Sequence, residues 1–204
     1  MNDVIQYGNF KSLLKSKKKK QIILCHTARE VNEFLTSLKF RYNGAYNRIP
    51  HFVITQNGQV LQLLEPKSKT SFFKNHTMDS QCIVVCLENL GWLVKKPLSN
   101  SYLNWISNIY KQEVYEKKWR EHSFWHPYTE IQVEKTVELC KVLCEEFSIP
   151  KKFVGHNTRV ENIELFSGVA TRSNYNTRFT DLSPAFDFQT FSKKLEYEQI
   201  QSEI

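Results

Sequence analysis

The sequence predicts an α/β fold, a single domain with a mixed central β-sheet flanked by helices. Three observations predict it. Runs rich in aliphatic and β-branched residues, Gln21-Ile-Ile-Leu-Cys-His26 and Cys82-Ile-Val-Val-Cys-Leu-Glu88, read as buried strands. Between and after them lie patterns of helical period. Residues 51–64 read as a hairpin around Asn57-Gly58. No internal repeat or low-complexity linker interrupts the 204 residues, which suffice for one domain with its own core.

The first strand, 21–26, stops at His26, and Thr27 with Glu30 reads as a capping box opening a helix. Val31, Phe34, Leu35, Leu38 and Tyr42 follow at helical spacing, and Asn43-Gly44 ends the run. After the hairpin and the strand at 82–88 comes an aromatic-basic stretch holding Trp92, Trp105, Trp119 and Trp125. These tryptophans read as a small satellite core, with stacking on sugar faces as the other reading. Thr129 and Gln132 form a second capping box, and Val133, Val137, Cys140, Cys144 and Phe147 keep a 4-3-4-3 spacing up to Pro150. Lys152-Phe-Val-Gly155 reads as a short strand that again stops at a histidine, His156, and Asp187 is placed to cap a last helix with Phe188, Phe191 and Leu195.

Apolar residues make up 41% and charged residues 24% of the chain, as in ordinary globular proteins. The net charge of +7 suits an anionic partner such as nucleic acid, a membrane surface or a wall polymer. No arginine-rich helix, RNA-binding sheet signature or zinc-finger spacing appears, so nucleic acid is not expected. The run Lys15-Ser-Lys-Lys-Lys-Lys20 reads as a solvated basic segment. The N-terminus lacks a charged region followed by an apolar block, so no signal peptide is expected, and no apolar run reaches the roughly 20 residues of a membrane helix. The chain is therefore expected to start in a cytoplasm, without stable membrane insertion. Five cysteines without a CxxC pair are expected to be reduced thiols.

Two strands of an α/β sheet ending in histidine suggest a metal site off the carboxyl ends of the strands, although a single histidine at a strand end is more often a hydrogen-bonded structural residue. A third ligand is needed. Asp181 and Asp187 are both candidates, and the 130 residues between His26 and His156 form no local metal signature.

The order of these pieces resembles the zinc-dependent N-acetylmuramoyl-L-alanine amidases of the type-2 class, which share a fold with peptidoglycan recognition proteins and phage amidase endolysins. IILCHT resembles the family's first strand with its first zinc histidine. Residues 50–66, PHFVITQNGQVLQLLEP, resemble its hairpin, and 82–91, CIVVCLENLG, its central strand. The segment around His76 resembles the place of a substrate-facing histidine. YTEIQVEKTVELC resembles the long helix, FVGHNTR the second zinc histidine and FTDLSPAFDF the family's ending. The resemblance covers about residues 20–192. It implies a Zn²⁺ held by His26, His156 and Asp181, with Asp187 left as a helix cap. It also divides the chain into a basic segment 1–19, a catalytic domain 20–195 with insertions at about 92–127 and 157–178, and a tail 196–204.

This chain departs from the family pattern. Cys86 stands where some relatives carry a catalytic glutamate, and Glu88 two residues on faces the same way. Phe179 stands where relatives place a lysine, with Arg178 beside it. Glu88 is thus the first candidate for the proton donor to the leaving amine and His76 the second, with Arg178 or His76 stabilising the oxyanion. The implied activity is hydrolysis of the amide between N-acetylmuramic acid and L-alanine in bacterial peptidoglycan. A phage endolysin fits best, held in the host cytoplasm until a holin-type partner releases it onto the wall, and monomeric by assumption. Two readings compete. One is a non-catalytic peptidoglycan-binding module or virion component of the same fold. The other is a cysteine hydrolase using Cys25 or Cys86 with a histidine.

Overall fold

The computed structural model describes residues 4–8, 10 and 18–196. In chain order the elements are β1 (Val4–Gln6), β2 (Gln21–His26), α1 (Val31–Phe40), β3 (Phe52–Ile54), β4 (Val60–Gln62), α2 (His76–Gln81) and β5 (Cys82–Leu87). There follow β6 (Trp92–Lys95), β7 (Tyr102–Leu103), β8 (Ile109–Tyr110), β9 (Tyr115–Trp119), β10 (His122–Trp125), α3 (Glu130–Phe147), β11 (Gly168–Thr171), α4 (Arg172–Tyr175) and α5 (Phe188–Glu196). A six-stranded sheet runs β1-β4-β3-β5-β2-β11. It is mixed: β3, β5, β2 and β11 are parallel, β4 is antiparallel to β3, and β1 adds in parallel to β4.

The central strands are apolar throughout because both faces are covered. Alternation sends Ile22, Leu24, Ile83 and Val85 to a core shared with α3 and α5, and Ile23, Cys25, Val84 and Cys86 to a core shared with α1. The second capping box forms as its residues dictate. Thr129 Oγ1 accepts from the Gln132 amide and Gln132 Oε1 from the Thr129 amide. Asp187 Oδ1 accepts from the Thr190 amide, as its place before α5 requires.

Several expectations are corrected. The first capping box does not form: Thr27 Oγ1 donates to the Arg29 carbonyl, α1 starts at Val31, and the Val31 amide is capped by Glu88 from the neighbouring strand. Residues 4–6 of the basic segment pair with the sheet edge. Of the lysine run, 15–17 lie outside the described residues, but Lys19 is buried and its Nζ donates to the carbonyls of Ser68 and Cys82. Burial lowers its pKa to about 8, so this lysine is structural rather than solvated. The 157–178 segment is not only a loop: Gly168–Thr171 forms the edge strand beside β2. Residues 152–155 make only a bridge, Phe153 to Val169.

Cysteines 25 and 86 lie opposite each other in the β2–β5 register, with Cα atoms 4.6 Å apart, and are joined as a disulfide. Reduced thiols are found instead at Cys82, Cys140 and Cys144, all buried. The insertion at 92–127 folds as a second, antiparallel sheet, β8-β7-β6-β10-β9. Leu90, Leu93 and Tyr110 form its core with Tyr102, Val114 and Phe124 against them. Trp119 and Trp125 are buried against each other, with ring centroids 5.5 Å apart, and Trp92 stacks on His122 at 4.6 Å. Packing accounts for these three tryptophans, whereas Trp105 is exposed.

Candidate active site

The parallel strands β2 and β5 end side by side, His26 opposite Leu87. This brings the end of β2 next to the chain that leaves β5 through Glu88, Asn89 and Gly91. The His26 ring sits against Gly91, whose φ is +80°, and a Cβ there would lie 2.6 Å from His26 Cε1. Asn89 fixes this turn. Its side-chain oxygen accepts from the Gly91 amide, and its Nδ2 donates to the carbonyls of His126 and Pro127.

Asp181 is almost fully buried, and its Oδ2 lies 3.4 Å from the His26 amide nitrogen and 3.5 Å from Arg172 Nη1. Its position follows from β11 and α4. The Ser173 amide donates to the Asp181 carbonyl at 2.8 Å, folding the chain back onto the end of β2. His156 comes after Gly155 and is stacked on Phe188 at 4.3 Å and tilted against Trp119 at 4.8 Å. Asn174 Nδ2 donates to the Gly155 and Thr158 carbonyls, so the segment carrying His156 is tied to the one that leads to Asp181.

Burial depresses the pKa of His26, and that of His156 falls to about 4, with the charges of Lys117 and Arg120 adding to the effect at His156. Both imidazoles are neutral at pH 7, the form that ligates a metal. His26 Nδ1 and His156 Nε2 are buried without a hydrogen-bond partner among the described residues. Two orphaned imidazole nitrogens and a carboxylate are a donor set suited to zinc. Among the described residues, however, no three such groups already converge as a preformed cluster.

The other expected residues sit differently. Glu88 is buried, and its two oxygens accept from the backbone amides of Val31 and Gln56 at 2.7 and 2.8 Å. It holds α1 and the hairpin to β5. Arg178 is exposed, and the guanidinium beside Asp181 belongs to Arg172, lying over Phe179 at 3.7 Å. His76 opens α2, is exposed, and lines neither the cavity beside His26 nor any contact with His26, His156 or Asp181 among the described residues. The buried disulfide removes Cys25 and Cys86 as nucleophiles.

Besides Arg172, the sequence reading missed three groups. His126 follows β10 and is buried, and its Nε2 accepts from Gln56 Nε2 at 3.1 Å while its Nδ1 has no partner among the described residues. Burial, then the nearby His26, lowers its pKa to about 4. Arg120, at the β9–β10 turn, has a buried Nη1 without a hydrogen-bond partner among the described residues and carries its charge toward Asp181 and His156. Tyr128, just before α3, has a buried hydroxyl whose pKa is driven up by burial and by Asp181. The only sequence signal for the first was the placement of His126 between a strand and a capping box.

The sequence matches the N-acetylmuramoyl-L-alanine amidase family over residues 15–174, a span that includes His26 and His156 and stops short of Asp181. No curated protein matches it significantly. Among solved structures it is similar to the amidase AmiD from E. coli in complex with anhydro-N-acetylmuramic acid-L-Ala-D-gamma-Glu-L-Lys, with TM-score 0.56 and 14% identity, covering 91% of this chain and 61% of that one. It is similar also to the amidase LysC and the endolysin amidase LysCS from Clostridium intestinale URNW, with TM-scores 0.58 and 0.59 and 11% identity to each. These matches cover 95% and 96% of this chain and 97% of each of theirs. With the family matched across most of its length and the same mixed sheet beneath it, the chain belongs to the N-acetylmuramoyl-L-alanine amidase family.

Proposed function

We propose that this protein hydrolyses the amide between the lactyl group of N-acetylmuramic acid and L-alanine in peptidoglycan, with a zinc ion held by His26, His156 and Asp181. The observation that carries the reading is the pair of buried imidazole nitrogens on His26 and His156, without a hydrogen-bond partner among the described residues, in a chain of this family. The unit doing this work is residues 20–195. Bound zinc supplies a Lewis acid and a water whose pKa is brought to about 7.

The chain's own residues do the rest. Gly91 seats the His26 ring, and Phe188 with Trp119 orients His156. Arg172 and Arg120 place positive charge around Asp181, where negative charge on the substrate carbonyl is stabilised. His126 stands beside His26 as a neutral imidazole. Its Nε2 accepts from Gln56, leaving Nδ1–H as a hydrogen-bond donor suited to orienting the substrate. Glu88 is not used, since both its oxygens are taken by backbone amides.

The similarity to an endolysin amidase supports a role as a lysin that reaches the wall from inside a host after a holin-type partner opens the membrane. Metal content and muropeptide turnover, wild type beside His156→Ala, test the proposal. About one zinc per chain and release of L-alanyl peptide, both lost in the variant, are expected. A wild type that binds sacculi but takes up no zinc and releases no peptide would make it a wall-binding relative instead.

A further inference from the structure

A cavity of about 210 Å³ opens beside His26, between α1, the 45–48 loop and the insertion. Its lining includes four arginines, Arg29, Arg41, Arg48 and Arg172, and no carboxylate. Only Arg172 has an ion-pair partner, Asp181; among the described residues no carboxylate lies within ion-pair distance of the other three. The charge of Arg48 is felt at Asp79 from further away.

Aromatic rings hold these cations where carboxylates do not. Arg29 lies over Trp105 at 4.7 Å, Arg41 over Tyr46 at 4.9 Å and Arg172 over Phe72 at 5.3 Å, and all three rings line the same cavity. The rings come from three separate segments, and the Trp105 indole is fixed by donating to the Ala28 carbonyl. A guanidinium held by an aromatic ring keeps N–H donors that the ring does not use, and these can receive a carboxylate. Three guanidiniums without a carboxylate partner among the described residues, beside a fourth paired with Asp181, repel each other in one half-enclosed space unless an anion enters.

Resting on the proposed amidase reading, the cavity's inclusion of His26 makes it continuous with the place where the scissile amide is processed. A γ-linked glutamate, the second residue of the stem peptide, leaves its α-carboxylate free. At roughly 3.5 Å per residue that group lies within about 10 Å of the scissile bond. We propose that this cavity is the subsite for the free α-carboxylate of the γ-linked glutamate, with Arg41 and Arg48 as the residues that set specificity for it. An enzyme so built distinguishes stems with a free acid from stems in which that group is amidated.

The test compares kcat/KM on two muropeptides that differ only in γ-glutamate against its amide, isoglutamine, for wild type and for Arg41→Gln/Arg48→Gln. The wild type is expected to favour the free acid by about tenfold or more, chiefly through KM, and the variant to lose that preference because its kcat/KM falls far more on the free acid than on the amide. Hydrolysis of both substrates at equal efficiency by the wild type, or an equal loss on both in the variant, overturns the subsite and leaves the amidase reading standing.

Calorimetric binding of the tripeptide L-Ala-γ-D-Glu-L-Lys, which has no bond to cleave at this site, separates the two failures. Binding that vanishes in the isoglutamine form and in the variant upholds the subsite even where neither muropeptide is hydrolysed. Glycerol-phosphate oligomers binding more tightly than the tripeptide would assign the arginines to a phosphate polymer and overturn the proposal.

Discussion

At Gly91 a single missing side chain determines where the His26 ring sits. Gly91→Ala would place a methyl 2.6 Å from that ring, at a backbone φ of +80° that alanine adopts reluctantly. The variant is expected to retain the fold and to lose about 1–2 kcal/mol of stability; once loaded with zinc at the proposed site, it should release the metal at far lower chelator concentrations than the wild type. Thermal melting and a chelator titration read the two effects apart, and wild-type zinc retention would show that the ring is seated by something else. Glu88 carries a different prediction. Its carboxylate accepts two backbone amides, and Glu88→Gln can accept only one without turning an NH₂ toward the other. Denaturant unfolding is expected to show a loss of about 1–3 kcal/mol, while turnover per folded molecule stays near that of the wild type. A variant of full stability and no turnover would return Glu88 to the chemistry. His26 and His156 stood out in the sequence because each ends a strand-like run, whereas Asp181 was separated from Asp187 only by the resemblance to the family. His126, Arg120 and Arg172 did not stand out, since their roles come from tertiary approach and nothing in their neighbours marks it.

Among the elements, those with strong periodicity read correctly from sequence: β2, β5, the β3–β4 hairpin and α3 all lie where their patterns put them. The strand β11 did not, because Gly168-Val-Ala-Thr171 is short and small, and it becomes a strand only by pairing with β2. The start of α1 was misplaced because its cap comes from Glu88, far away in sequence. The hairpin entry depends on His51, wholly buried, whose Nδ1 accepts from the Val84 amide and whose Nε2 donates to the Ser68 carbonyl. Burial, then the charge of Lys19, lowers its pKa to about 3. The unfolded chain takes up this proton near pH 6.5 and the folded chain only near 3. Stability from this group is therefore full above about 6.5 and falls as pH drops from there toward 3. Denaturant midpoints across that window should slope downward with acid, and less steeply in His51→Gln. In the insertion, Trp125 is fully buried and its indole donates to the Lys117 carbonyl, so Trp125→Ala should cost roughly 3–5 kcal/mol in a denaturant titration. A loss under about 1 kcal/mol would mean the second sheet unfolds independently of the first.

For the whole molecule, the mixed sheet with cores on both faces was legible from the alternation of strand-like and helical patterns, but the second sheet was not, because its strands have only two to five residues and β9 is exposed along most of its length. The net charge of +7 belongs to this scale too. Binding to anionic wall material should weaken as salt rises from about 0.05 to 0.5 M, and binding indifferent to salt would show that the surface charge plays no part. One last feature links the two ends of the sheet. At the amino end, the side-chain amide of Gln21 donates to the Ile163 and Phe166 carbonyls and that of Gln81 to the Glu164 carbonyl. At the carboxyl end, Asn174 grips the carbonyls of Gly155 and Thr158. The excursion from 157 to 178 is thus stitched at both edges, and the residues between the stitches, about 159–162, answer to neither. Of these, only the exposed Arg159 and Glu161 are free to vary without moving Asp181 out of register with His26, since Val160 packs on the core and Asn162 opens the following turn at a φ of +52°.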